Sequence, residues 1–369
     1  MIFRERVMQS DIFDDSVVIP TIREQIFTGQ VVPARAYFDA VEIDLSIYDR
    51  IVVCMSGGKD SIASVLHLRE SGVDMSKVEL WHHDIDGREG SQLMDWHFMA
   101  SYNQALADEL GLPLYFSWLE GGFEGEMLKE NGYSRPHKVE TPSGLITLER
   151  DTSRSAPATR RRFPQQSASL QTRWCSSALK IDVGRRALNN QVRFEASKTL
   201  FITGERREES SNRARYNQLE PHACDRRSGK KSRHVDAWRP VLHWKEDEVW
   251  DILRRNNIIA PVPYRLGWSR SSCMTCIYNG PRVWATIQRY FPKRAEAIAD
   301  YETQFGTTVS RNRINVIDIA STARPFEVSD VEALEQAYSR DYFLPVVVPN
   351  GGLWVMPAGA FGSEGCGAV

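Results

Sequence analysis

Six consecutive residues, Ser56-Gly57-Gly58-Lys59-Asp60-Ser61, combine the side chains that handle phosphate. Gly57 and Gly58 let the backbone come close to a ligand and take torsions that other residues resist. The N–H groups of such a turn, and of the helical turn after it, lack partners inside the helix. They hold an anion with help from the helix dipole. Lys59 adds a compact positive charge, and Ser56 and Ser61 add hydroxyl donors. The string differs from Gly-x-x-x-x-Gly-Lys-Ser/Thr, which needs four residues between its glycines. A second run, Gly204-Glu205-Arg206-Arg207-Glu208-Glu209-Ser210-Ser211-Asn212-Arg213, offers three guanidinium groups and a hydroxyl. Planar guanidinium groups pair bidentately with phosphate or sulfate oxygens; a salt-bridged surface helix is the competing reading of the same run. Asp84 and Asp86 can face ribose, adenine or a metal-bound phosphate, or form a plain Asp/Gly turn. Cys273-x-x-Cys276 has the spacing of a metal knuckle.

These groups need strands and helices to position them. Ile51 to Met55 is short, apolar and β-branched, as a strand covered on both faces should be. Ile62, Val65, Leu66 and Leu68 then recur at helical spacing. Lys77 to His82 is a second buried strand, with Asp84 and Asp86 just beyond its end. Leu93 to Leu110 is predicted as a helix stopped by Gly111 and Pro113, and Leu114 to Trp118 as a third strand. The β-α-β-α-β order implies a parallel sheet with right-handed crossovers. Residues 119–170 are rich in Gly, Pro, Ser and Arg and are expected to form a lid or a disordered insertion with one short helix near Gly125 to Glu130. Trp174 opens a helix running to about Asn189. Thr199 to Thr203 is a fourth strand, which delivers the arginine run beside the crevice where ligands of open α/β sheets bind. Further helices are predicted over Lys245 to Asn256, Pro281 to Phe291 and Pro292 to Phe305. An extended arm over 1–45, a core over 46–235, a helical, cysteine-containing part over 236–310 and an extension over 311–369 complete the reading.

The chain has 369 residues, a formal net charge of -2, 42% hydrophobic and 25% charged residues, an ordinary balance for a soluble protein. No apolar run approaches the roughly 20 residues of a membrane span, and Met1 to Arg6 is not followed by the apolar core of a secretory signal. A cytoplasmic protein with no membrane partner is the expectation. Its 6 cysteines are too few for a disulfide framework in a chain this long. Near-neutral charge alone speaks against nucleic acid, yet Arg150, Arg154, Arg160, Arg161 and Arg162 crowd one stretch and Arg226, Arg227, Lys230, Lys231 and Arg233 another. Both suit a phosphate backbone, or are solvated loops.

Four motifs in order across roughly residues 45–285 resemble the phosphoadenosine-phosphosulfate-reductase branch of the PP-loop ATP-pyrophosphatase superfamily. They are Ser56 to Ser61; Trp174-Cys175 with Leu179-Lys180; Gly204-x-Arg206-Arg207-x-x-Ser210-x-x-Arg213; and Trp238-x-Pro240 followed by Gly267 to Cys276. The resemblance implies an α/β fold, a five-stranded parallel sheet between helices, and cleavage of ATP between its α- and β-phosphates. Lys59, Asp60, Ser61, Arg206 and Arg207 are then the catalytic set. Ser56, Gly57, Gly58, Asp84, Asp86, Lys180, Gly204, Ser210 and Arg213 join Lys59, Asp60, Ser61 and Arg206 in holding ATP with Mg2+. Relatives with a four-iron cluster use a Cys-Cys pair and a Cys-x-x-Cys pair. Here Cys175 matches the first pair, Ser176 replaces its second cysteine, and Cys224 is a candidate fourth ligand. A [4Fe-4S] cluster on Cys175, Cys224, Cys273 and Cys276, a zinc ion, or no metal are the alternatives.

The branch holds two kinds of enzyme. Sulfonucleotide reductases use a terminal Glu-Cys-Gly motif with a following His. Here Glu364-Gly365-Cys366-Gly367 has an inserted glycine and no His. The other kind activates an oxygen with ATP so that sulfur can replace it. The ATP-pyrophosphatase component of bacterial DNA phosphorothioation is similar in outline, and implies DNA, a cysteine desulfurase or other persulfide donor, and further components of a DNA-modification complex as partners. That is the reading adopted, with the reductase and a non-catalytic nucleotide-binding subunit as alternatives. His82, His83 and His97 are expected to be structural or peripheral.

Overall fold

The computed structural model describes residues 39–89, 92–229 and 232–362. Most of the 1–45 arm, Lys230, Lys231 and Cys366 lie outside the described residues. At the centre is β1 (Arg50–Cys54), with β2 (Val78–Asp84) and then β3 (Leu114–Leu119) on one side. On its other side lie β6 (Lys198–Ile202) and then β8 (His234–Trp238). These five strands are parallel throughout, with Val53 opposite both Leu80 and Ile202. The expected parallel sheet is therefore present. Three antiparallel strands extend it to eight: β4 (His137–Thr141) and β5 (Gly144–Leu148) beyond β3, and β7 (Leu219–Pro221) beyond β8.

Strand periodicity decides how the sheet is covered. Ile51 and Val53 face a large apolar cluster with Ile62, Val65 and Leu66 of the Lys59–Glu70 helix. Val52, between them, faces a second cluster with Trp81, Phe201, Val235 and Cys224. Alternate side chains of one strand thus enter cores on opposite faces, which is why β1 is apolar at every position except its ends.

Two stretches differ from the sequence-based expectation. The helix predicted from Leu93 starts only at Met99 and runs Met99–Leu110. The preceding residues are held otherwise: the Asp86 carboxylate accepts the N–H groups of Met94 (2.9 Å) and Asp95 (2.8 Å), and Asp95 accepts that of Trp96 (2.8 Å). Short acidic side chains compete for backbone donors in this way and displace helix. The 119–170 insertion is not structureless. It contains the Gly122–Met127 helix and the β4–β5 hairpin, in which Val139 faces Ile146 and is buried while Leu145 is exposed.

The 174–189 helix appears where expected, but its middle, Ser177–Ile181, is wound as a π-helix. After β8 come the helices Glu246–Arg255, Val262–Arg265, Pro281–Tyr290 and Pro292–Phe305. The 346–361 segment then returns across the Val262–Arg265 turn. Ile259 N–H donates to Val346 O (2.9 Å), Trp354 Nε1 to Ile258 O (2.7 Å), Gly359 N–H to Tyr264 O (2.8 Å) and Phe361 N–H to Glu246 Oε1 (3.1 Å). Among the described residues no helix is long and apolar enough to cross a membrane.

Candidate functional site

The strand order reverses at β1: the chain moves outward to β2 and β3, then crosses back to β6 and β8. In open α/β sheets the loops at such a switch point form the ligand crevice. Here they are the β1 loop, carrying Ser56 to Ser61, and the β6 loop, carrying Gly204 to Arg213.

The β1 loop is built for close approach. Gly57 has φ +75°, and a Cβ on it would overlap Met99 Sδ. Gly58 precedes the Lys59–Glu70 helix as a cap with no side-chain hydrogen bond. Ser61 Oγ donates to Gly58 O (2.8 Å), accepts the Ser56 N–H (3.3 Å) and lies 3.2 Å from Ser56 Oγ, so both hydroxyls brace the loop. His82 reaches in from β2, its Nδ1 2.8 Å from Met55 O and 3.1 Å from Asn103 Nδ2, and so takes a structural place.

Lys59 is 3% exposed. Its Nζ is 3.2 Å from Asp60 Oδ2 and lies over the Tyr264 ring at 5.6 Å and the Trp250 ring at 6.0 Å. Burial opposes its charge, but Asp60 and Tyr264 outweigh burial and hold the ammonium above its usual range. Asp60 Oδ1 takes Arg206 Nε at 2.5 Å. Arg206 is buried and also binds Glu208 (2.6 Å) and the Trp244 carbonyl (3.3 Å). One carboxylate thus joins the two loops. The backbones also touch: a Cβ on Gly204 would lie 2.7 Å from Asp60 O and 2.9 Å from Ser61 N. Neighbours made of backbone cannot yield as a flexible side chain does. Gly204→Ala is therefore expected to cost about 1–3 kcal/mol and to weaken nucleotide binding, as read by denaturant unfolding and calorimetry.

The other arginines sit further along the β6 loop. Arg207 pairs with Asp39 (2.8 Å) and approaches His243 (3.4 Å). Arg213 pairs with Glu209, which also accepts the Arg206 N–H (2.8 Å) and meets Arg270 (3.3 Å). Ser210 Oγ accepts the Arg213 N–H (3.3 Å).

Beyond β2 is a cavity of about 220 Å³ lined by Asp84, Asp86, Asp95, Trp96 and Met99, among others. Met99, the neighbour of Gly57, connects it to the phosphate loop. Asp84 pairs with Arg88 (3.2 Å). Asp86 is pushed up to about 7 by burial, with Asp95 adding to the effect and the Met94 and Asp95 N–H groups and Arg294 opposing it. Asp95 is raised as well, first by burial. Between about pH 4 and 7 folded Asp86 therefore keeps a proton that the unfolded chain has released. Stability from this group is greatest below that window and falls as pH rises through it. Asp86→Asn is expected to flatten part of that decline, Asp95 retaining the rest; unfolding midpoints at pH 5 and 7 measure it.

Lys180 is exposed on the π-helical stretch. Its charge reaches Cys175, Cys273, His83 and Asp95. His83 donates to or accepts from Ser117 Oγ at 2.8 Å and is pushed down to about 3, mainly by burial. It is neutral at ordinary pH. Burial raises Cys175 to about 11 and raises Cys273 too.

Cys175 and Cys273 pack against the first apolar cluster, and Cys224 belongs to the second. The sheet separates them, and the Cys224 thiol faces Arg185 O at 3.8 Å. The four-cysteine ligand set is therefore corrected: Cys224 cannot join Cys175, Cys273 and Cys276 without crossing the sheet. Among the described residues no group of three or more His, Cys, Asp or Glu side chains is arranged to hold a metal ion.

Four site residues escaped the sequence reading: Tyr264, Trp250, Arg270 and Asp95. Tyr264 and Arg270 flank the Gly267–Trp268 pair, and that aromatic, glycine-containing run was the available signal.

Residues 145–279 match the family described as phosphoadenosine phosphosulfate reductase domain. The match bears out the resemblance and contains three of the four motifs; Ser56 to Ser61 precedes it. The chain is 26% identical over 266 residues to an uncharacterised 37.8 kDa protein of Escherichia phage 186, covering 68% of this chain and 74% of that one. It is 25% identical over 134 residues to an uncharacterised protein of Methanocaldococcus jannaschii, covering 36% of this chain and 30% of that one. Candida glabrata FMN adenylyltransferase in complex with FAD and inorganic pyrophosphate superposes with a TM-score of 0.34 at 12% identity, over 80% of this chain and 78% of that one. That likeness is too slight to bear on chemistry.

Proposed function

We propose that this chain is an ATP pyrophosphatase that transfers an adenylyl group to an oxygen acceptor and releases pyrophosphate. The observation that carries this reading is the joining of the two switch-point loops through Asp60, which sets Lys59 and Arg206 on one carboxylate beside the left-handed Gly57. An anionic acceptor oxygen attacks the α-phosphorus. The bond from that phosphorus to the bridging oxygen breaks, and pyrophosphate leaves with the electron pair. No general base is needed. Negative charge grows on the leaving group, where a fixed cation is worth most, and Lys59 is the cation nearest the loop. Arg206 holds Asp60, and through it the loop, in place. Magnesium enters with the nucleotide.

The finer proposal concerns the acceptor. A DNA backbone phosphate suits the exposed Arg150, Arg154, Arg162 and Arg226. Arg160 and Arg227 are instead engaged by Glu126 (2.8 Å) and Asp236 (2.6 Å). Adenylation of a DNA oxygen, followed by attack of a persulfide's outer sulfur delivered by a cysteine desulfurase, would expel AMP and leave an R–S–S–P linkage; a second thiol would then cleave its S–S bond, forming a disulfide with R–S and leaving sulfur on the phosphorus. Product analysis decides the core claim. With ATP, magnesium, DNA and a persulfide donor, AMP and pyrophosphate are expected in equal amounts; ADP alone, or no product, overturns it.

The family match favours a second reading, reduction of a sulfonucleotide. It requires a thiol nucleophile. Sulfite release that is lost on Cys366→Ser would establish it.

A further inference from the structure

The hydroxyl of Tyr264 occupies an unusual place. Tyr264 is 1% exposed, its oxygen accepts the backbone N–H of Lys59 at 3.2 Å, and the Ser271 backbone N–H bears on it electrostatically. A main-chain donor of the phosphate loop is thus spent on a side-chain oxygen at the first turn of the Lys59–Glu70 helix, with the Ser271 N–H facing the same oxygen. That is the environment a phosphate oxygen receives in such a loop. Two neighbouring donors are already spent: the Ser61 and Ile62 N–H groups both return to Gly58 O at 3.1 Å. Beside the tyrosine, a Cβ on Gly58 would stand 3.5 Å from Ser271 Cβ and 3.5 Å from Tyr264 Oη. Among the described residues Ser271 Oγ is buried with no hydrogen-bond partner. A buried hydroxyl left unpaired is costly, and a phosphate oxygen at this point would relieve it.

We propose that the phosphate cradle has two walls, the 56–61 loop and Ser271, and that the Tyr264 hydroxyl fills it as a stand-in until a nucleotide phosphate oxygen takes its place. This rests on the reading of the 56–61 loop as a phosphate site. Tyr264 is then a positioning residue that competes with the ligand, and Ser271 a direct contact. Val262–Arg265 is held from both sides, by Arg265 on Asp330 (2.7 and 3.0 Å) and by Gly359 on the Tyr264 carbonyl (2.8 Å). The ring therefore swings about a fixed backbone.

The test is titration of the full chain with inorganic pyrophosphate and with ATP by calorimetry, with melting midpoints checking that each variant folds. Tyr264→Phe keeps the ring and removes the competing oxygen; its affinity is expected to rise about three- to tenfold, the worth of one hydrogen bond. Ser271→Ala is expected to fall by a similar factor, and Ser271→Thr to keep most of the affinity. Opposite signs at two neighbouring positions are not what loss of packing produces. Equal or weaker binding by Tyr264→Phe, or unchanged binding by Ser271→Ala, overturns the proposal while leaving the phosphate site standing. If neither the parent nor Tyr264→Phe binds pyrophosphate or ATP, the phosphate site itself fails and the proposal with it.

Discussion

Asp60→Ala is expected to unfold about 3 kcal/mol more easily than the parent chain and to release no AMP from ATP. The size follows from what the substitution abandons. Asp60 accepts Arg206 at 2.5 Å and Lys59 at 3.2 Å, and both cations are almost wholly buried. Removing one partner of a buried ion pair leaves charge without compensation and costs about 3–5 kcal/mol. The lower end applies because Arg206 keeps Glu208 at 2.6 Å. Equilibrium unfolding in urea measures the change. A loss under about 1 kcal/mol would mean that the two loops are joined by their backbones and not by the carboxylate.

Lys59→Ala touches the same network with the opposite balance. Asp60 retains Arg206 and the carboxylate stays paired, so unfolding should shift far less than for Asp60→Ala. Turnover should suffer more selectively. A preorganised donor facing the charge of a transition state is worth about 10²–10³ in kcat, and KM should change much less. Initial rates of pyrophosphate release give both constants. An unchanged kcat would remove Lys59 from the chemistry and leave it as a support for Trp250 and Tyr264.

The parallel core was legible because each of its strands announces itself. Ile51 to Cys54 is apolar at successive positions, as a strand buried on both faces must be, and the glycines after it can only be a turn. The β6 loop was legible for the same reason. The hairpin at His137 to Leu148 was not, since Val139 is the one apolar residue among the two buried on its first strand and the alternation is too short to stand out. The late start of the Met99–Leu110 helix was hidden too, because Asp86, in the loop just beyond β2, captures the backbone donors that would have extended it. At the site, the residue types of the phosphate loop were plain but its partners were not. Tyr264 and Trp250 reach Lys59 from segments whose proximity is set only by the packing of the Glu246–Arg255 helix on the Lys59–Glu70 helix. Sequence spacing carries no trace of that contact. Cys224 shows the converse: a cysteine count invites a cluster, and the sheet between its members forbids it.

The 346–361 segment gives the protein a temporal order of assembly. The Ser56 to Ser61 turn leaves the ribosome before that segment, with β1 and the helix that follows. Its aromatic ceiling is secured only when Trp354 reaches Ile258 O and Gly359 reaches the Tyr264 carbonyl. Nascent chains fold from their N-terminal side as they are made, so the phosphate turn is made before both its tyrosine and the segment that secures that tyrosine. Interrupted translation products that stop short of Trp354 would carry every phosphate-binding residue read from the sequence and still lack a finished site.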